Sequence, residues 1–306
     1  MGLQAAKPRL SDMQLNVLSV LAGGAILVFV LVCASLVANR PQLITIDANI
    51  PEDFPASGFA HETFENLLAQ YIDADGSVDF ERWHQNVADR ALLDSYLAAV
   101  GNFSPAATPE RFPRKSDELA YWMYGYNGYV IKSVLDHWPI DSVTDVKAPI
   151  EAVTGLGFFY RQRFHFGGTP LSLYAVENQK IRKAFHDPRI HFVLYCASGS
   201  CPVLRPELPT GDELEILLQE ATVAFITDPR NVRVDHEKKQ IVLSAIFDMY
   251  RSDFMKELTR RGLPSDSGVV DYVANVAPES LQAELTIAAA YEVTFADYDW
   301  AIAESK

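Results

Sequence analysis

The chain has 306 residues, with 26 Lys and Arg against 40 Asp and Glu, and its formal net charge at pH 7 is −14. This acidic balance argues against binding to nucleic acid or to an anionic membrane surface, because both are themselves negatively charged. The length is sufficient for a full hydrophobic core without disulfide cross-links.

The first predicted element is an apolar segment near the N-terminus. Residues 15–38 are rich in Leu, Val, Ala and Ile and contain no charged side chain. At about 1.5 Å per residue, a helix of this length crosses a hydrocarbon core of about 30 Å. Lys7 and Arg9 precede the segment and Arg40 follows it, which favours a cytoplasmic location for residues 1–14. We therefore predict a transmembrane signal anchor, with a cleaved signal peptide as the alternative.

This anchor would make the protein a single-pass membrane protein with the membrane as a partner, and its globular part would be periplasmic or extracellular. Residues 39–60 contain three prolines and are predicted to form an extended linker. The globular domain is predicted at residues 61–306.

Hydrophobic periodicity within this domain predicts many helices and few, short strands. The predicted helices lie at residues 63–71, 82–89, 92–99, 118–138, 172–185, 213–227, 244–258 and 269–275. The predicted strands lie within 155–168, around a Gly167-Gly168 turn, and at 190–196, 232–234, 240–243 and 287–297. The predicted fold class is α+β: a helix-rich single globular domain with a small sheet, preceded by one transmembrane helix.

Several short blocks within residues 117–228 resemble a known family. They are Ala120-Tyr121-Trp122, Leu171-Ser172-Leu173 followed by Glu177, Asp187-Pro188-Arg189-Ile190-His191, and Ser200-Cys201-Pro202. In this order they resemble the family called domain of unknown function 547. The resemblance implies no established reaction. Family members often have a His directly after the position of Glu177, whereas this sequence has Asn178.

Cys201 is the candidate nucleophile of this family-like core. It follows a predicted strand and a Gly199-Ser200 loop, where free backbone N–H groups would favour a thiolate and could bind an oxyanion. The alternative is a disulfide with Cys196, five residues earlier, which an oxidising compartment would favour. The sequence leaves both interpretations open.

A cysteine nucleophile needs a base within hydrogen-bond reach, usually a histidine. His191 would lie about 16 Å along the predicted strand from Cys196, so we interpret it as a core or sheet-surface histidine. His165, near a glycine turn, is the other candidate base.

Glu177 could orient a histidine, or simply cap a helix. Asn127 could line a pocket, or bind a loop carbonyl, because a buried amide needs hydrogen-bond partners. The predicted catalytic set is therefore Cys201, Glu177, Asn127 and His165.

Two functional hypotheses follow. The first is a non-catalytic binding or scaffold module for a protein or small-molecule partner, and the second is a cysteine-dependent hydrolase or acyl transferase with Cys201 as nucleophile. The sequence does not decide whether the protein is an enzyme. We predict no cofactor, because phosphate loops and dinucleotide fingerprints are absent. We also predict no metal, because the cysteines and nearby histidines match no recognised zinc spacing.

Overall fold

The computed structural model describes residues 21, 29–30, 32–264 and 266–304. Within these residues no helix combines the length and the apolar composition that crossing a bilayer requires, which is about 20 apolar residues. The predicted transmembrane helix at 15–38 lies mostly outside the described residues, as do residues 1–14. The predicted preceding transmembrane helix, the membrane as a partner and the single-pass location are therefore wrong for the described chain.

The described chain is a mixture of helices and two small sheets. Its α-helices are α1 (Glu62–Tyr71), α2 (Phe80–Gln85), α3 (Val87–Asn102), α4 (Lys115–His137), α5 (Leu173–Ala175), α6 (Lys183–Phe185), α7 (Glu213–Thr227), α8 (Ala245–Met249), α9 (Arg251–Arg260), α10 (Val269–Val276) and α11 (Glu279–Ile287). Short 3₁₀ helices lie at Pro109–Arg111, Val143–Asp145 and Pro188–Phe192, and π-helices lie at Leu156–Arg161 and Val176–Arg182.

The first sheet has the strand order β1 (Gln42–Leu43), β2 (Gln162–Phe166) and β3 (Thr169–Leu171). β1 lies within the predicted linker and pairs in parallel with β2, with Gln42 opposite Gln162. β2 and β3 pair antiparallel across the predicted Gly167-Gly168 turn, where both glycines adopt the positive φ that a tight turn requires.

The second sheet has the order β4 (Val232–Asp235), β5 (Gln240–Leu243) and β6 (Glu292–Phe295). β4 and β5, which correspond to the strands predicted at 232–234 and 240–243, are antiparallel, and β6 joins β5 in parallel. The predicted strand at 287–297 is shorter in the structure, at Glu292–Phe295, and it is preceded by α11, a helix that the sequence did not reveal.

The central helix α4 is buried on nearly every face, as expected from its aromatic composition. Three of its tyrosine hydroxyls donate to carbonyl oxygens of other segments. Tyr121 donates to Val100 at 2.9 Å, and Tyr129 donates to His165 at 2.7 Å. These bonds offset the cost of burying polar atoms, and they attach α3 and β2 to the central helix.

The predicted strand at residues 190–196 is wrong. The segment begins as a 3₁₀ helix at Pro188, whose fixed φ suits a first helical position, and the side chain of Asp187 accepts a hydrogen bond from the Arg189 amide at 3.0 Å. The prediction failed because a short run of apolar residues has no hydrophobic periodicity that would distinguish a buried strand from a buried helical segment.

The buried apolar side chains form two clusters. The larger surrounds α4, and the smaller contains Phe192 and Phe225, whose rings stack with centroids 4.6 Å apart. Val193 packs against both clusters. The segment after Pro188 therefore connects the two halves of the core.

His61 gives the fold a testable pH dependence. Its ring is buried and lies 2.9 Å from the Tyr96 hydroxyl, and burial lowers the pKa of His61 from 6.5 to about 3, although Asp117 acts in the opposite direction. Between pH 6.5 and about pH 3, His61 is protonated in the unfolded chain but neutral in the folded protein. The free energy of unfolding therefore falls as the pH drops through this range. We expect His61 to lower the free energy of unfolding by about 2 kcal/mol between pH 7 and pH 5.

The measurement is urea unfolding of the wild type and of His61→Gln at both pH values. Between pH 7 and pH 5 the free energy of unfolding should fall by about 2 kcal/mol less in the variant than in the wild type, because glutamine does not titrate. Equal pH dependence of the two proteins would contradict the assignment.

Candidate functional site

Glu177 lies in the π-helix Val176–Arg182, at the centre of a group of tyrosines. The helix widens here into i→i+5 hydrogen bonding, a distortion that is frequent at functional sites. Burial raises the pKa of Glu177, while a hydrogen bond with Tyr250 and the charge of Arg182 oppose this effect. The carboxyl group is therefore more readily protonated than an exposed glutamate.

Three more tyrosine hydroxyls interact electrostatically with this carboxyl group. Burial is the main reason that the pKa values of Tyr126, Tyr160 and Tyr298 are raised, and the negative charge of Glu177 adds to it. Tyr298 comes from the C-terminal segment, and its pKa rises to about 12. These hydroxyls are therefore neutral hydrogen-bond donors at physiological pH.

Tyr250 connects Glu177 to a partly buried ion pair. Its ring stacks on His191 with centroids 3.8 Å apart, and His191 Nε2 lies 3.1 Å from Asp253 Oδ2. The same carboxylate oxygen accepts from Arg182 Nε at 2.7 Å. Burial alone would raise the pKa of Asp253, but the bonds from His191 and Arg182 hold it well below its usual range. Asp253 is thus a carboxylate, and His191 must donate its Nε2 proton.

A cleft of about 520 Å³ opens beside this ion pair. Its walls come from the π-helix, from α6 and the residues after it, and from α9. Its lining residues are Asn178, Arg182, Lys183, His186, Asp187, Asp253, Lys256, Glu257 and Arg260. The volume is within the range of small-molecule sites, which is roughly 300–1,000 Å³.

The two cysteines form a disulfide, Cys196–Cys201, with their Cα atoms 5.9 Å apart. The Tyr298 hydroxyl lies 2.9 Å from Cys196 Sγ and 4.0 Å from Cys201 Sγ. The sulfur of Cys201 is therefore not a free thiolate in this structure, although it lies near the hydroxyl that links it to Glu177.

The expected free N–H groups around Cys201 all have partners. The amides of Gly199 and Ser200 donate to the carbonyls of Ala301 and Asp299, at 2.8 and 3.2 Å, and the Cys201 amide donates to Ser198 at 2.9 Å. The C-terminal segment thus binds two of the donors expected to hold an oxyanion, and the cysteine loop itself binds the third.

Asn127 binds the backbone of the loop before the cysteines. Its Nδ2 donates to the Val193 carbonyl at 3.2 Å, and its Oδ1 accepts from the Tyr195 amide at 2.8 Å. This is the loop-binding alternative considered for a buried amide. His165 lies on β2 with its Cβ close to Gly101 of α3, and no hydrogen bond within the described chain joins it to Cys201.

No group of three or more His, Cys, Asp or Glu side chains is positioned to bind a metal ion, within the residues that the structure describes. The carboxylates of the site have basic or tyrosine partners instead.

The sequence of this region matches one known family. Residues 110–226 match the family model described as "Protein of unknown function, DUF547". The chain contains a DUF547 domain. No curated protein matches the chain. No solved structure matches it either.

The DUF547 domain supplies only part of the site. Glu177, Arg182 and His191 lie inside residues 110–226, whereas Tyr250 and Asp253 lie outside. Sequence reasoning missed these last two residues. Their signal is weak, because a tyrosine and an aspartate at the start of an amphipathic helix look like ordinary surface residues.

Removing the Asn127 amide should destabilise the protein. Asn127→Ala leaves the Tyr195 amide and the Val193 carbonyl without their partner, and each orphaned buried group costs about 1–3 kcal/mol. Asn102→Ala is the control, because its exposed amide binds only the Ala98 carbonyl within α3. Urea unfolding should separate the two variants, and equal losses would contradict the role of Asn127.

Proposed function

We propose that the DUF547 domain and the helices after it form a binding module for a small molecule, which enters the cleft between the π-helix Val176–Arg182 and α9. The observation that carries this proposal is the cleft itself, whose volume of about 520 Å³ suits a small ligand.

The wall of the cleft is preorganised, which supports a binding role. Arg182 bonds to both Asp253 and Asn178, and its guanidinium lies 5.0 Å from the centre of the Tyr250 ring. A side chain held from three directions loses little freedom when a ligand arrives, so less binding energy is spent on ordering it.

A binding role also agrees with the state of the cysteines. A catalytic Cys201 would need a free thiolate and a base, but its sulfur is bonded to Cys196. The only histidine of the buried network, within the described residues, is His191, and its Nε2 is committed to Asp253.

A thermal-shift screen of small molecules tests this proposal, with Lys256→Trp as the cleft variant. Lys256 lies at the rim of the cleft, so the indole should obstruct entry. Lys238→Trp is a matched control, because both lysine side chains are 72 % exposed and each pairs with an aspartate three residues earlier.

A ligand should raise the Tm of the wild type and of Lys238→Trp by several degrees at saturating concentration, and that of Lys256→Trp much less. Equal shifts in the two variants would place the ligand outside the cleft. A screen in which no compound stabilises the wild type would count against the proposal.

A cysteine-dependent hydrolase or acyl transferase is the second candidate. The observation in its favour is the Tyr298 hydroxyl, which contacts Cys196 Sγ and interacts with Glu177. This activity would require reduction of the disulfide, since only a thiolate is nucleophilic.

Single serine variants test this candidate, because Cys196→Ser and Cys201→Ser abolish the same disulfide. Under reducing conditions, hydrolysis of an activated ester should fall at least 100-fold in Cys201→Ser and persist in Cys196→Ser. Equal rates in the two variants would exclude Cys201 as nucleophile.

A further inference from the structure

Each acidic side chain that lines the cleft already has a basic partner. Asp187 pairs with Arg189 at 2.7 Å, Asp253 pairs with Arg182 at 2.7 Å, and Glu257 pairs with both Arg260 and Arg261, at 2.8 and 2.6 Å. These carboxylates therefore have little capacity left to attract a cationic ligand.

The basic side chains of the cleft, by contrast, are not all paired with acidic groups. Lys183 is exposed and has no ion-pair partner among the described residues. Arg182 uses Nε and Nη1 for Asp253 and Asn178, which leaves Nη2 without an acceptor in the described part of the chain. Lys256 Nζ lies 3.6 Å from Asp253 Oδ1, which is a weak ion pair, and the lysine side chain is mostly exposed.

The excess of positive charge is local. The whole chain carries a net charge of −14, yet four of the nine lining residues are Arg or Lys and three are acidic. Behind the lining, Arg261 pairs with Glu257, and Arg189 is shared between Asp187 and Glu215. An anion in the cleft would therefore meet uncompensated cations on a protein that otherwise repels it.

We propose that the cleft binds the anionic oxygen group of a small molecule, a phosphate or a carboxylate, through Lys183 and Arg182. Arginine and lysine suit this task, because a guanidinium donates in a fixed plane and an ammonium adds a mobile point charge. This inference rests on the proposed binding function and adds the chemical class of its ligand.

Calorimetric titration of the full chain with inorganic phosphate and with citrate tests the proposal. The wild type should bind at least one of the two at a single site, more weakly as sodium chloride is added. The stronger binder of the two distinguishes a phosphate from a carboxylate ligand.

Lys183→Ala should weaken this binding about tenfold, which corresponds to roughly 1.4 kcal/mol. The matched control is Lys147→Ala, since Lys147 is also exposed and without an ion-pair partner among the described residues, but lies away from the cleft. Unchanged affinity in Lys183→Ala, or an equal loss in Lys147→Ala, would overturn the assignment.

Failure of the ligand class is distinguishable from failure of the binding function. A neutral or cationic compound that Lys256→Trp excludes, together with no binding of phosphate or citrate, would overturn only the class. The absence of any stabilising compound in the screen would overturn both.

Discussion

The carboxylate of Asp253 is the group on which the arrangement of the site depends. It accepts from Arg182 in the π-helix and from His191 in the 3₁₀ segment, and it sits at the start of α9. One side chain therefore joins two parts of the DUF547 domain to the helices that follow it. A half-buried carboxylate is stable here only because both partners donate to it.

This ion pair also explains the shape of the cleft. Arg182 and Asp253 join the π-helix to α9, and Lys256, Glu257 and Arg260 of α9 line the space between them. The cleft is thus a product of the join between the DUF547 domain and the C-terminal helices, and neither part supplies it alone.

The C-terminal segment has a comparable effect on the cysteine loop. Its carbonyls at Asp299 and Ala301 accept from the loop amides, and the Tyr298 hydroxyl contacts the disulfide. Within the cysteine motif the sequence could suggest a nucleophile with free donors around it. The motif does not reveal that residues about a hundred positions later bind those donors.

The sequence by itself determined the elements with a strong local signal. The amphipathic helix Glu213–Thr227, the hairpin of β4 and β5, and the central helix α4 follow from periodicity, turn residues and composition. The family match likewise followed from short blocks. The sequence did not determine the conformation after Pro188. The backbone of an apolar run can form its hydrogen bonds either in a sheet or, as here, with the Asn127 side chain. Only the tertiary structure decided the site, since Asp253 is distant in the sequence from Arg182 and His191 and meets them only when the chain folds, where the guanidinium and the imidazole N–H both donate to the carboxylate.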